Sequence, residues 1–166
     1  MTLNNEAHIK RDRLRFTKNK LSANLTLLAI VFNALYFISI YSTDVGTYYY
    51  NVMIGVSVVY NLLFMLIAFL SSEGVKSYKF GYSFVLMALG AGQIIRIFIL
   101  PLQAKNAAVP VNGVDQPALG DGQFIYVLVC LVASAALCVI AGAVNFIKSR
   151  TLESYQAEID KKAKGS

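Results

Sequence analysis

Residues 124–147 read FIYVLVCLVASAALCVIAGAVNFI, 24 residues in a row with neither a charge nor a proline. A helix rising about 1.5 Å per residue needs roughly 20 apolar residues to cross a ~30 Å hydrocarbon core. The run shows no period-2 alternation, and a barrel strand needs only about 10 residues, so it reads as a spanning helix. Residues 25–41, 52–70 and 80–100 have the same character over 17, 19 and 21 residues. The first is short, but the small polar residues at 22–24 and 42–43 extend it into the interfaces. Its successor, Ser39-Ile40-Tyr41-Ser42, offers no clean small-x-small cleavage site, so it is expected to stay as a helix.

The fold class predicted is therefore all-α integral membrane, a four-transmembrane-helix bundle. Its helices fall at about 24–42, 50–71, 79–101 and 122–148, within a transmembrane domain at 24–148. Around them lie a basic N-terminal segment at 1–23, an outer loop at 102–121, and a cytoplasmic helical tail at 149–166 that extends the fourth helix. Composition agrees: of 166 residues, 57% are hydrophobic and 14% charged. A soluble domain is roughly 45–50% apolar and about 25% charged, and a small one cannot hide this much apolar surface. A disordered chain, a disulfide scaffold and most soluble enzymes are excluded.

The net charge of +6 is informative through its placement. Lys10, Arg11, Arg13, Arg15, Lys18 and Lys20 precede the first helix, and Lys76 and Lys79 lie between the second and third. Lys148, Arg150, Lys161, Lys162 and Lys164 follow the fourth, which puts 13 of 15 basic residues on one side. By the positive-inside bias both termini are cytoplasmic, and the plasma membrane is the expected site. The first cluster is expected to face anionic inner-leaflet lipid, with no nucleic acid involved. Tyrosines at the span ends, including Tyr48–Tyr50, read as interface anchors.

Within the spans, Cys130, Ser134, Cys138 and Gly142 recur every four residues, and Ala88 and Gly92 repeat the device in the third helix. Small residues at that spacing let backbones approach closely, which in lipid replaces the missing hydrophobic drive. The stripes fit either packing inside the bundle or contact with another subunit or another copy. The cysteines share a face but lie about 12 Å apart along the axis, too far for a disulfide. Asn33 and Asn61 sit near mid-membrane within a short echo, VFNALY at 31–36 and VYNLLF at 59–64. Each should find a partner on a neighbouring helix.

Arg96 is the one charge inside a span. It lies near the outer end of its run, so either it snorkels to the interface or it turns inward. Turned inward, it would bind an anionic group together with Gln93, or pair with Asp44 or Asp121 from the outer loops. The outer loop carries a hairpin-like turn signal at 111–114, VNGV. In the tail, Leu152, Tyr155 and Ile159 form an apolar stripe suited to the membrane face or a cytoplasmic partner.

Catalytic chemistry is hard to assemble from this chain. The only histidine is His8, and all nine carboxylates lie outside the spans. No metal-ligand spacing, nucleophile elbow or P-loop occurs, and a heme would lack its axial histidines. No cofactor and no metal is expected. The leading expectation is a non-catalytic accessory subunit of a larger transport-type membrane complex, touching other subunits or itself. The alternative is a small homo-oligomeric channel or facilitator with a polar path around Asn33, Asn61, Gln93 and Arg96.

Overall fold

A computed structural model describes residues 2–41, 52–106, 108–111, 114–117 and 119–164. In chain order these form α1 (Thr2–Thr17), α2 (Lys20–Tyr41), α3 (Val52–Lys76), α4 (Gly81–Ile99), α5 (Pro101–Asn106), β1 (Ala108–Val111), β2 (Val114–Pro117) and α6 (Asp121–Lys164). Among the described residues, four helical stretches are long and apolar enough to cross a membrane, belonging to α2, α3, α4 with α5, and α6. Tyr48–Tyr50 and Asp44 lie outside the described residues.

The chain is all-helical apart from one hairpin, in which β1 pairs with β2 antiparallel, Val111 opposite Val114. The strands flank the turn signal read at 111–114. Pro101 lacks the N–H that would continue α4, so the helix breaks at Leu100 and restarts as α5. The N-terminal segment is also not a bare basic stretch: it forms α1, which packs along α6.

α6 is the spine, packing most extensively on α2 and α4, while α3 leans on α2 and meets α4 less closely. Close approach of α4 and α6 follows from two glycines. A Cβ on Gly142 would sit 2.8 Å from the Ser83 carbonyl oxygen, and one on Gly90 would sit 3.0 Å from the Ala135 carbonyl oxygen. The Gly142 position belongs to the stripe read in the sequence, but Ala88 does not face α6. It is exposed, and Gly90 makes the approach in its place. A four-residue stripe on a 3.6-residue helix drifts around the axis, so the spacing alone did not fix which small residues meet the neighbour.

Polar groups tie the end of the bundle that carries the α1–α2 and α3–α4 turns. Asn145 Nδ2 donates to the Lys79 carbonyl at 3.1 Å and to Ser83 Oγ at 2.8 Å, and Asn19 Nδ2 donates to Asn145 Oδ1 at 3.2 Å. Ser149 Oγ donates to the carbonyl of Tyr78, at 3.0 Å. Tyr78 has a φ of 56°, a left-handed conformation that a bulky residue adopts only when its surroundings hold it there. Ser149 supplies one such restraint. Asn19 N–H also donates to the Lys76 carbonyl at 3.0 Å, so the α1–α2 and α3–α4 turns are joined.

The opposite end is closed by apolar packing. Tyr36, Ile40, Ile97, Leu100, Val127 and Leu131 form a cluster with Ala104 of α5 and Leu119, all buried. The loop residues of that cluster cover the helix ends, and Lys105 pairs with Asp121 at 3.3 Å at the margin. A second cluster, Ala29, Phe64, Ala68 and Cys138, lies one or more turns deeper. Between the two clusters sits a polar layer.

Candidate functional site

The layer is built from side chains of all four long apolar helices. α2 supplies Asn33 and, three residues on, Tyr36; α3 supplies Ser57, Tyr60 and Asn61; α4 supplies Gln93 and Arg96; α6 supplies Ser134. Spacings of three or four residues put the members of each helix on one face. Asn33 is eight residues before the end of α2, so the layer lies about 12 Å from that end.

Arg96 does not snorkel. Its residue is only 5% exposed. The guanidinium points into the bundle, where Nη1 donates to Asn61 Oδ1 at 2.7 Å and to Asn33 Oδ1 at 3.3 Å. Nη2 donates to Ser57 Oγ at 3.3 Å. The Tyr36 ring lies 4.3 Å from the guanidinium carbon and the Tyr60 ring 4.9 Å. Snorkelling spares a lone charge in lipid, but here neutral acceptors and two aromatic faces make an inward path favourable. Among the described residues no carboxylate pairs with Arg96, and Asp121 is taken by Lys105. The pairing with Asp44 falls outside the described residues.

Gln93 Nε2 donates to Asn33 Oδ1 at 2.9 Å and reaches Ser134 Oγ at 3.4 Å, while Ser134 Oγ donates to the Ala29 carbonyl at 2.9 Å. The four residues of the expected polar path, Asn33, Asn61, Gln93 and Arg96, are thus brought together. They form one layer, closed above and below by apolar side chains, and not a line through the bundle. Two buried polar atoms in the layer, Asn33 Nδ2 and Gln93 Oε1, have no hydrogen-bond partner. Natural interiors leave few such atoms, and they cluster where function needs them.

Beside Arg96 a cavity of about 290 Å³ opens between α3 and α4. Its inner wall carries Arg96, Ser57 and Tyr60; its outer wall carries Val56, Ile95 and Ile99, which are exposed on the bundle surface. Gly92 keeps the wall thin, since a Cβ there would stand 2.7 Å from the Tyr60 hydroxyl.

Of the packing residues read in the sequence, Cys130, Ser134, Cys138 and Gly142 are buried in α6, and both cysteines are free thiols. Burial pins them inside this chain. The basic cluster Lys10, Arg11, Arg13, Arg15, Lys18 and Lys20 lies on α1, in the turn after it and at the first residue of α2. Arg15 Nη2 donates to Gln156 Oε1 of α6 at 3.2 Å. The tail stripe is likewise used within the chain: Ile159 is buried, as is Ala7 on α1, and Leu152 and Tyr155 are half-buried.

Ser57, Tyr36 and Tyr60 were not singled out as site residues by sequence reasoning. The echo of 31–36 and 59–64 held the signal, because it delivers two asparagines to one arginine and an aromatic ring beside each. No family model matches the chain, and neither curated proteins nor solved structures show a significant match to it.

Proposed function

We propose that this is a multi-pass membrane protein with both termini in the cytoplasm, which receives an anionic group at Arg96 without transforming it. The observation that carries this reading is a buried guanidinium whose described partners are all neutral. A charged arginine at membrane depth costs about 2.5–3.5 kcal/mol even on the mildest scale. A structural hydrogen-bond hub could be built from neutral amides, so a buried cation with no carboxylate among its described partners fits an incoming negative charge. The charge bias of the loops supports the orientation.

The test is the unfolding midpoint of the purified protein in a neutral detergent, with and without a panel of monoanions. A ligand at a hundred times its Kd stabilises the folded state by about 2.7 kcal/mol. Stabilisation by at least one anion, absent in Arg96→Leu, is the expected result. A panel without effect on the wild type would remove the reading.

A second reading is an accessory subunit of a transport-type assembly, and one observation favours it. The β1–β2 hairpin is a two-stranded sheet on the outer side, and each strand has an edge available for pairing with another chain. The other surfaces that suggested a subunit, the small-residue stripe and the tail stripe, are used within the chain. Mass spectrometry after gentle detergent extraction tests this reading. A stoichiometric membrane partner supports it, and a lone monodisperse species counts against it.

A further inference from the structure

We infer that the group received at Arg96 is the carboxylate of a single-chain amphiphile, such as a fatty acid, which enters from the lipid through the α3–α4 cleft. The inference rests on the anion-site reading above and adds the route and the chemical class.

The route follows from what surrounds the guanidinium. Toward the outer water, the cluster of Tyr36, Ile97, Leu100 and Leu119 closes the bundle. Toward the cytoplasm, Ala29, Phe64, Ala68 and Cys138 do the same. A soluble anion would have to cross one of these layers. The cavity instead opens sideways, and its mouth is formed by Val56, Ile95 and Ile99, side chains exposed on a surface that is apolar along its length. In a membrane that mouth faces acyl chains.

The class follows from charge, donors and size. One guanidinium matches one negative charge, which suits a carboxylate better than a doubly charged phosphate monoester. The three hydrogen bonds to Asn61, Asn33 and Ser57 do not exhaust the five N–H donors of an arginine, whose fork fits a carboxylate in two-point fashion. Ser57 and Tyr60, also lining the cavity, carry further hydroxyls. A volume of about 290 Å³ is at the lower limit of small-molecule sites. It accommodates a head and the first part of one chain, with the remainder lying in lipid against Ile95 and Ile99, and it is too small for a two-chain phospholipid.

The experiment uses the whole chain in phosphatidylcholine nanodiscs and palmitic acid bearing a photoreactive diazirine in its chain. Labelled peptides are mapped by mass spectrometry for the wild type, Arg96→Leu and Ile95→Trp. The tryptophan variant blocks the mouth from the lipid-exposed side and leaves the buried layer untouched, so it reports even where Arg96→Leu fails to fold. Label concentrated on α3 and α4 around the cleft, falling at least tenfold in Ile95→Trp, is the expected result. Unlabelled palmitate should displace it, whereas hexadecanol, acetate and inorganic phosphate at equal concentration should not.

Displacement by hexadecanol would overturn the inference, because the site would then bind an apolar chain without its charge. Displacement by acetate or phosphate would also overturn it, while leaving Arg96 as a site for a soluble anion. Label spread evenly over all lipid-facing helices would overturn it too. If, in addition, no anion shifts the unfolding midpoint, the anion-site reading falls with it.

Discussion

At the scale of the residue, Arg96 and its acceptors form a coupled unit. Asn61 accepts the shortest of the guanidinium's hydrogen bonds, 2.7 Å, and its own Nδ2 donates to the Ser57 carbonyl at 3.1 Å, which fixes the amide. A hydrogen bond to a charged group contributes about 1.5–3 kcal/mol. Asn61→Leu is therefore expected to lower stability by about 2 kcal/mol, read from denaturant unfolding in mixed micelles. The same change in an Arg96→Leu background should cost distinctly less, since the charge that needs Asn61 is gone. Equal costs in both backgrounds would mean that the two residues do not interact. Gly142 makes a contrasting case. A leucine there would press on the Ser83 carbonyl, a backbone atom with little room to yield, and should cost about 1–3 kcal/mol. Ala88→Leu, on an exposed position of the neighbouring helix, should stay within about 0.5 kcal/mol.

At the scale of the element, α6 is one helix of 44 residues that serves two environments. Its first part is the bundle's spine, and its last turns carry α1. Ile159 and Ala7 are the buried apolar residues of that pairing, so Ile159→Asp should free α1. Faster tryptic cleavage at Arg11, Arg13 and Arg15, with the unfolding midpoint of the spans unchanged, is the expected outcome. Unchanged cleavage would show that α1 is held elsewhere. In the same tail the Lys162 ammonium, hydrogen-bonded to Glu158 at 2.8 Å, holds the Glu158 carboxyl below its usual value. A carboxyl with a folded value below its unfolded one stabilises at neutral pH and loses that contribution as pH falls through the folded value. Amide protection around Glu158, corrected for intrinsic exchange, should therefore weaken on acidification below about pH 4. The effect should be small and should shrink with added salt, because both groups face solvent.

The element scale also shows what was legible in the sequence. Apolar runs of 17 to 24 residues, with Arg96 the one charge among them, mark the candidate spans, because no soluble alternative can bury them. The hairpin turn was legible from Asn112-Gly113 between Val111 and Val114. α1 was not legible as a packed helix. Among its residues of described burial only Ala7 is buried, a small side chain in a stretch made mostly of charged and polar residues, so nothing marks a face for packing on α6. Asn33, Asn61, Gln93 and Arg96 could be listed from the sequence, since each is conspicuous in an apolar run, whereas Ser57, Tyr36 and Tyr60 are not. Their convergence could not. Whether Arg96 faces lipid or bundle depends on the rotation of α4 about its axis, and that is set by packing partners on three other helices.

At the scale of the whole molecule, the bundle is layered along its axis. A polar clamp of Asn19, Asn145 and Ser149 holds the end near α1, two apolar clusters occupy the middle and the opposite end, and the Arg96 layer lies between them. This layering disfavours a continuous aqueous path and favours a lateral one. The placement of the basic residues predicts the topology. A cysteine introduced at Lys164 should react with an impermeant maleimide only after the cells are opened, and one at Lys105 should react in intact cells. The reverse pattern would invert the orientation. Native Cys130 and Cys138 are buried and should stay silent in both cases.

The central claim, that a carboxylate docks on the buried guanidinium, is tested most directly by a distance. Solid-state NMR on the protein in neutral lipid, with carboxyl-labelled palmitate and labelled arginine, reads the separation between the carboxyl carbon and Arg96 Cζ. Two-point pairing predicts about 4 Å. A folded protein in which Arg96 Cζ shows no carboxyl carbon nearby, at a fatty acid concentration that saturates the membrane, would contradict the account.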